Sequence, residues 1–436
     1  MSRIVIGVEP AVAPNAAVVT GARVFRISLA ALIPLAIAKV QEAIPPLSHI
    51  PLSKPLVPFM LMVMAVGLPR WQLRNAMRAT TSKCVAVIAI LGLLSIPLSI
   101  WPSNSIAFVV EVVTPLMALF VIVSTAVADR DTALICIVSL VVSVIASACY
   151  VLAGVSLDAE GRPYIGGLDP NDVAALFVST IPFATLLASR RGATRWLGFV
   201  ALPLLVAAVV KTGSRGGVIG LLVVALLLIL RAGPRKRWAY AIGVVFSAAI
   251  FALAADEARL TRFETIFTPQ SDYNFTEREG RIQVWTRGIG YMVAHPILGV
   301  GINNFSTAEG VLSGKVDEGY GIRYTAAHNS FVEIGAELGV FGLAAFVVAL
   351  WSAERDCRRA YRLATRDQAV HPVVATEEAR LAAAAQCALL GVITTGFFLS
   401  FAYHPIMYFI LAICVGVRAG SPYEARVPIR ATMSAR

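Results

Sequence analysis

The sequence predicts an all-α membrane protein, and this prediction rests on its composition and on the length of its apolar runs. Of the 436 residues, 58% are hydrophobic and only 14% are charged, whereas a soluble globular chain is roughly half apolar and about a quarter charged. The apolar runs reach the roughly 18 residues that a helix needs to cross about 30 Å of hydrocarbon. They are too long for the strands of a membrane barrel.

Twelve apolar segments follow one another along the chain, so we predict a bundle of about twelve transmembrane helices. They are 24–41, 55–69, 84–101, 105–128, 132–155, 171–189, 196–212, 216–230, 238–255, 329–353, 379–402 and 404–418. Some are short, and a very short link separates the last two. The chain then divides into helices 1–9 over 1–255, a long polar loop over 256–328, helices 10–12 over 329–418 and a tail over 419–436.

The basic residues indicate how the bundle lies in the membrane. If the N-terminus is cytoplasmic, most of the 37 lysines and arginines fall in cytoplasmic loops, as the positive-inside rule requires. The turn that contains Lys211 and Arg215 breaks this pattern. We therefore predict a multi-pass inner-membrane protein with both termini in the cytoplasm and an uncleaved first helix as its targeting signal. The loop 256–328 then lies outside, in the periplasm of a cell with two membranes.

Helical periodicity predicts short helices within the long loop. Over 277–294 one apolar face is formed by Ile282, Trp285, Ile289, Met292 and Val293. Arg281 flanks that face, and Arg287 points away from it. Pro296 and the glycines that follow it end the helix.

The first candidate site is the turn 211–217, with the sequence Lys-Thr-Gly-Ser-Arg-Gly-Gly. Glycines let a backbone approach a ligand, and a helix N-terminus offers free N–H groups. Arg215 adds a fork of donors that matches phosphate geometry, so this turn suits a lipid pyrophosphate at the bilayer surface. The alternative is an arginine and a lysine that extend to water from a helix end.

Two residues of the long loop are further candidates. His328 lies where the chain re-enters the membrane, and a neutral imidazole there can take a proton from an alcohol near pH 7. Its alternative role is an interfacial or capping residue. Arg281 lies on the amphipathic helix, and alone it is typical of a solvated arginine.

Other polar residues lie near the predicted outer helix ends. Glu333 and Glu337 are four residues apart and share a helix face. Three roles are open for them: they pair with the arginines, they orient His328, or they are surface acids. Asn171 belongs to a stretch whose residue types also suit a turn and a helix cap. Glu111 lies inside a span, where an ionisable group usually faces the bundle interior.

The same sequence argues against several other functions. The chain has no HExxH motif, paired DxD motif, Walker loop or dinucleotide fingerprint, so we expect neither a metal nor a nucleotide cofactor. Its basic residues are spread over short loops, which disfavours nucleic acid as a partner. Its six cysteines have no paired spacing and predict neither disulfides nor a zinc site.

Three stretches occur in order along the chain. They are Gly-Ser-Arg-Gly at 213–216, Gly-Arg-Ile-Gln-Val-Trp at 280–285 continuing into His-Pro-Ile-Leu-Gly-Val-Gly at 295–301, and His-Asn-Ser-Phe at 328–331 followed by Glu333, Glu337 and Gly339. Together with the long outer loop, they resemble the O-antigen ligase and polymerase family of bacterial membrane proteins. The resemblance is strongest between residues 165 and 345.

The resemblance implies a twelve-helix bundle that takes a polyprenyl-pyrophosphate glycan as donor, without a metal or a nucleotide sugar. Arg215 and Arg281 would hold the pyrophosphate and stabilise its charge as it leaves, and His328 would activate an acceptor hydroxyl for inverting attack. The acceptor would be lipid A–core or another glycan, among membrane lipids. The expected substrate-binding residues are Lys211, Ser214, Gly216, Asn329, Glu333, Glu337 and Asn171.

Three alternatives stay open at this point. Ligation onto lipid A–core is favoured only slightly over polymerisation of repeat units, because the motifs serve both. A transporter of a polar or lipid-linked solute would more often place charges near the bilayer midplane and repeat its halves. A scaffold subunit of a polysaccharide export complex would tolerate replacement of all three charged residues.

Overall fold

The computed structural model describes residues 16–43, 53–67, 70–255, 257–268, 280–312, 324–367 and 372–419. The helices in these ranges are α1 (Ala16–Ala36), α2 (Ser53–Gly67), α3 (Arg70–Arg78), α4 (Thr80–Ser95), α5 (Pro102–Phe108), α6 (Thr114–Ala126), α7 (Arg130–Ala153), α8 (Pro170–Ala188), α9 (Thr194–Lys211), α10 (Arg215–Arg231), α11 (Pro234–Ala254), α12 (Glu257–Glu264), α13 (Arg281–Ala294), α14 (Phe305–Val311), α15 (Ser330–Asp367), α16 (Pro372–Gly396) and α17 (Pro405–Ala419). No strand occurs in these ranges, only two isolated β-bridges after α7. The predicted all-α class is confirmed.

Each of the twelve predicted apolar segments overlaps one of these helices. Seven helical stretches of the described chain are long and apolar enough to cross a membrane: Thr80–Leu98, Pro102–Ala126, Arg130–Ala153, Pro170–Ala188, Thr194–Lys211, Ser330–Arg366 and Val373–Gly396. The other five segments lie on α1, α2, α10, α11 and α17, which do not meet both conditions. The count of about twelve spans therefore stays a prediction.

α8 and α17 form the centre of the bundle, because nearly all of their side chains are buried. α8 packs against α9, α10 and α16, and α17 packs against α6, α15 and α16. A Cβ added at Gly198 of α9 would lie 2.4 Å from the carbonyl oxygen of Ala184 in α8. A Cβ added at Gly391 of α16 would lie 2.7 Å from Val224 of α10. Helices in lipid associate largely through such close packing of small residues.

The two ends of the bundle differ in how they are held together. At one end, Glu377 of α16 forms ion pairs with Arg190, with Arg130 at 3.4 Å and with Arg380 at 3.2 Å. At the other end, α8, α10, α15 and α17 begin, and the loop after α13 packs between them and α5. We call this second end the site end, because all three predicted catalytic residues lie there.

A sharp break at Gly339 divides α15 into two helical pieces. Gly339 has φ +67° and ψ −167°, and a Cβ there would lie 2.3 Å from the carbonyl oxygen of Pro296. Gly299 has φ +63°, and a Cβ there would lie 2.3 Å from the carbonyl oxygen of Ala336. Val340 N–H donates to Pro296 at 2.8 Å. The loop after α13 therefore fits into the break, which only glycine allows.

The apolar face predicted for α13 is not the face that the helix buries most. Ile282, Ile289 and Val293 are 36%, 49% and 70% exposed, whereas the helix buries Val284, Gly288 and Tyr291. A Cβ at Gly288 would lie 2.5 Å from Val332 and 2.8 Å from Phe305. The closest contacts of α13 are therefore at Gly288, and an analysis of hydrophobic periodicity does not detect a glycine.

An ion pair explains why this other face of α13 turns inwards. Arg287, which was predicted to point away from the apolar face, donates to the fully buried Glu309 of α14 at 2.6 and 2.9 Å. The Tyr291 hydroxyl donates to the same carboxylate at 2.8 Å. A buried carboxylate is costly unless it is paired, so this pair fixes the rotation of α13 about its axis.

We predict that Gly339→Ala destabilises the folded protein. The added methyl group meets the Pro296 carbonyl, and the left-handed φ alone costs a non-glycine residue about 1–3 kcal/mol. Thermal unfolding in detergent measures the change. The matched control is Gly290→Ala, because Gly290 lies in α13 with nothing within 4 Å of an added Cβ. A midpoint for Gly339→Ala equal to that of the control would contradict the constraint.

Candidate active site

The turn between α9 and α10 forms the first part of the site. Gly213 has φ +63° and reverses the chain. The buried Ser214 hydroxyl caps α10 by accepting the Gly217 N–H at 3.1 Å. A Cβ at Gly216 would lie 3.1 Å from Phe398, so the first turn of α10 lies close to the end of α16. The turn opens a helix, as predicted.

Arg215 is the first residue of α10, and its side chain is half-buried. Its Nη1 donates to the Thr265 hydroxyl at 2.6 Å. That hydroxyl donates in turn to the Arg262 carbonyl at 2.7 Å. The segment that follows α12 therefore positions the guanidinium, a contact that no pattern along the chain predicts.

Further cations surround the same turn. A Cβ at Gly213 would lie 3.7 to 3.9 Å from the side chains of Arg162, Arg262 and Arg259. Arg259 is buried and donates to the Lys211 carbonyl at 2.9 Å. We call the set of cations at this turn the basic collar, and its members are Arg162, Lys211, Arg215, Arg259 and Arg262.

Two carboxylates offset part of the charge of the basic collar. Arg162 pairs with Asp158 at 3.0 Å and with Glu160 at 3.2 Å, and Arg262 pairs with Glu160 at 2.8 Å. The collar thus gathers five basic side chains at one turn, a composition that suits an anionic ligand.

His328 forms the second part of the site, at the start of α15. Its φ of +47° is unusual for a residue with a Cβ. Its backbone N–H donates to the Ser400 hydroxyl at 2.9 Å. Trp285 Nε1 donates to the carbonyl of the preceding residue, Ala327, at 3.0 Å. Contacts on both sides thus hold the backbone in a strained conformation, which is a common feature of functional sites.

The His328 imidazole has a neighbour of each charge. Burial lowers its pKa below the usual value, and the nearby Arg281 guanidinium lowers it further, while Asp169 acts in the opposite direction. The imidazole is therefore neutral near pH 7 and can accept a proton. Arg281, the half-buried first residue of α13, thus lies close enough to His328 to act on its charge.

Aromatic side chains connect the Arg215 turn to the His328 loop. Phe398, which contacts Gly216, packs edge-on against Phe397 with ring centroids 5.4 Å apart. Phe397 packs edge-on against Trp285 at 5.5 Å, and Trp285 holds the loop before His328. Arg215, Arg281 and His328 thus lie at the same end of the bundle around this aromatic cluster.

Several other predicted substrate-binding residues have clear structural partners. Asn329 is buried and caps α15 by accepting the N–H groups of Phe331 and Val332 at 2.9 and 3.1 Å. Glu337 is buried and accepts the N–H groups of Asn303 and Phe305 at 2.9 and 3.1 Å. These contacts hold the helix start and the loop after α13 in place.

Glu333 and Asn171 are placed differently from those two residues. Glu333 is half-buried, accepts the Ala402 N–H at 3.2 Å and lines a cavity. Asn171 follows the capping residue Asp169 and donates its backbone N–H to it at 2.7 Å. Its side chain is half-buried near the start of α8.

Sequence reasoning missed the cavity of about 470 Å³ at the site end, which Glu333 helps to line. Its polar lining comes from Lys39, Glu111, Asp172, Asn303, Glu333, Ser400, Tyr403 and His404. His404 and Asp172 were not among the predicted site residues. The signal that could have found them is their shared position at the predicted outer helix ends.

A comparison with known families covers the central part of this site. Residues 200–347 match the family model described as O-antigen ligase. This part of the chain belongs to the O-antigen ligase family. The match contains Arg215, Arg281 and His328, and it supports the resemblance to the O-antigen ligase and polymerase family over this part of the chain. No curated protein matches the chain.

We predict that Arg281→Gln moves the acid limb of the pH–rate profile to higher pH. The neutral imidazole is the reactive form, and the wild-type limb should lie below the ordinary histidine pKa of about 6.5. Removal of the neighbouring cation raises the pKa of His328, whereas Asp169→Asn lowers it and keeps the helix cap. Transfer rates measured from pH 5 to 8 give both shifts. Superimposable limbs in all three proteins would contradict this coupling.

Proposed function

We propose that the protein transfers a glycan from a polyprenyl-pyrophosphate donor to an acceptor hydroxyl at the periplasmic face of the inner membrane, as an O-antigen ligase does. The observation that carries the proposal is the gathering of Arg215, Arg281 and His328 at one end of the bundle. All three lie inside the family match at 200–347. Cations beside a neutral base are what this reaction requires.

The basic collar and Arg281 bind the donor pyrophosphate in this proposal. The guanidinium of Arg215 presents paired N–H donors to phosphate oxygens. Its hydrogen bond to Thr265 supports this role, because a positioned cation loses less freedom when a ligand binds. As the glycosidic bond breaks, negative charge grows on the pyrophosphate oxygen, and fixed cations stabilise that charge.

His328 acts as the general base in this reaction. The acceptor hydroxyl oxygen attacks the anomeric carbon, its proton passes to the imidazole, and the bond from that carbon to the pyrophosphate oxygen breaks. The products are the extended acceptor, with inverted configuration, and the free polyprenyl pyrophosphate. Charge balance needs no metal ion in this scheme. The lowered pKa of His328 supports it, because a base must be unprotonated to act.

The remaining predicted residues take supporting roles. Lys211 adds positive charge beside the turn, and Ser214 and Gly216 keep α10 in position to present its N-terminus. Asn329 and Glu337 hold the backbone around His328 through their contacts with N–H groups. Glu333 and Asn171 lie where an acceptor could reach them.

Two other functions remain as alternatives. Polymerisation of lipid-linked repeat units uses the same donor and the same chemistry, and only the acceptor differs. The proposal follows the family description in favouring ligation to lipid A–core. A transporter of a polar solute is less well supported, because the charged candidates cluster at one end of the bundle and not at its middle.

We predict that His328→Asn abolishes transfer and leaves donor binding intact. Asparagine tolerates a positive φ, so the backbone survives while the base is lost, at a cost of about 10²–10⁴-fold in rate. Arg215→Lys, which loses the bidentate fork, should weaken donor binding instead. Purified protein in lipid discs is scored for both binding and product with a polyprenyl-pyrophosphate glycan.

Matched substitutions outside the site complete this experiment. The exposed His295 at the end of α13 gives His295→Ala, and the exposed Arg195 at the opposite end of α9 gives Arg195→Lys. Both controls should behave as wild type. Normal turnover in His328→Asn would exclude the base, and its failure to bind donor would make His328 a pyrophosphate ligand.

A further inference from the structure

The cavity of about 470 Å³ at the site end is separate from the basic collar, because no collar residue lines it. Its volume lies in the range of about 300–1,000 Å³ that is usual for ligand sites. Two of its lining residues connect it to the base. Ser400 accepts the backbone N–H of His328 at 2.9 Å, and Glu333 lies on the first turns of the helix that follows His328.

The chemistry of the cavity lining differs from that of the collar. Glu111, Asp172 and Glu333 contribute carboxylates, and Lys39 contributes a cation. Lys39 also pairs with Glu42 at 3.5 Å. Carboxyl groups, unlike arginines, offer no positive charge to an anionic ligand such as a pyrophosphate. They favour a ligand rich in hydroxyls, because a carboxyl group accepts a hydrogen bond from a hydroxyl and, when protonated, also donates one.

A half-buried histidine in the lining, with a buried ring nitrogen, points to a ligand independently of the acids. The His404 ring stacks on Phe401 with centroids 3.9 Å apart, and its Nδ1 accepts the Ile406 N–H at 3.3 Å. These contacts fix the ring. Its Nε2 is buried and has no hydrogen-bond partner in the described part of the chain. An unmatched buried polar atom is costly, and a ligand hydroxyl in the cavity would satisfy it.

The helix on the Glu111 side of the cavity also has an irregular backbone. Glu111 lies in a single π-helical turn, Val109–Val113, between α5 and α6. Such turns are rare and occur frequently at functional sites. Phe108, just before this turn, packs edge-on against Tyr403 at 5.3 Å, and both rings line the cavity. The lining thus combines aromatic surface with a few convergent polar groups, as sugar-sized ligands require.

We propose that this cavity binds the acceptor, as a neutral or amino sugar whose hydroxyls contact Asp172, Glu333 and His404. The assignment rests on the proposed transfer function and deepens it. The donor then occupies the basic collar, the acceptor sugar occupies the acid-lined cavity, and His328 lies between the two sets of groups. The acceptor is selected by its hydroxyls and not by phosphate.

The test measures acceptor and donor separately in Asp172→Asn and Glu333→Gln. Both substitutions keep the shape of the side chain and replace its carboxyl group by an amide. The purified protein in lipid discs is given a polyprenyl-pyrophosphate glycan with rough lipopolysaccharide in one arm and with a second lipid-linked repeat unit in the other. The KM for the acceptor should rise at least tenfold in each variant, while donor binding stays at the wild-type value. The arm in which wild type reacts identifies the source of the sugar.

Asp131→Asn is the matched control, because Asp131 is an exposed carboxylate at the start of α7, away from the cavity. An acceptor KM unchanged in both cavity variants, with normal transfer by wild type, would overturn the acceptor site and uphold the transfer function. Loss of donor binding in the variants would also overturn it, because the carboxylates would then serve the donor. Absence of transfer by wild type in both arms would contradict the function itself, and the acceptor site with it.

Discussion

The break of α15 at Gly339 is the constraint on which the site depends. It separates a short helical piece, which carries His328, Glu333 and Glu337 at or near its start, from the long helix that crosses the bundle. The loop after α13 fills the break and is held there by the Glu337 carboxylate through two backbone N–H groups. Without the break, the loop after α13 would not fit against the helix that begins beside His328. The glycine conformation at this point thus sets the geometry of the base.

Charge separation follows from this arrangement. The basic collar forms where the α9–α10 turn meets the segment after α12 and the loop after α7. The acid-lined cavity forms where α5, α8, α15 and α17 meet. Charged groups of both signs act on the pKa of His328, since Arg281 lowers it and Asp169 raises it. A base that must work between an anionic donor and a hydroxyl acceptor benefits from such a position, because neither substrate has to displace the other.

The sequence alone predicted the parts of this site that depend on local chemistry. The glycine turn before α10 was recognisable because a helix start exposes free N–H groups. Arg215 was recognisable because a guanidinium always presents the same paired N–H donors. His328 was recognisable because it lies at a boundary between polar and apolar chain. The family assignment followed from their order and was confirmed over residues 200–347.

The parts that the sequence did not predict depend on contacts between distant residues. Arg259 and Arg262 join the collar only through tertiary packing, and no spacing along the chain brings them to Gly213. The buried face of α13 is chosen by the ion pair between Arg287 and Glu309, whereas periodicity weighed only apolar residues. The sequence analysis did not select His404. It joins the cavity lining only in the folded protein, together with Phe108 of α5 and Asp172 of α8.

The most direct test of the account is the position of a bound donor. A cryo-electron microscopy structure of the protein in a lipid disc with a polyprenyl-pyrophosphate glycan would measure it. The account predicts that the pyrophosphate contacts Arg215 and Arg281, with the anomeric carbon facing His328. A pyrophosphate at the opposite end of the bundle, beside Arg190 and Arg380, would contradict it.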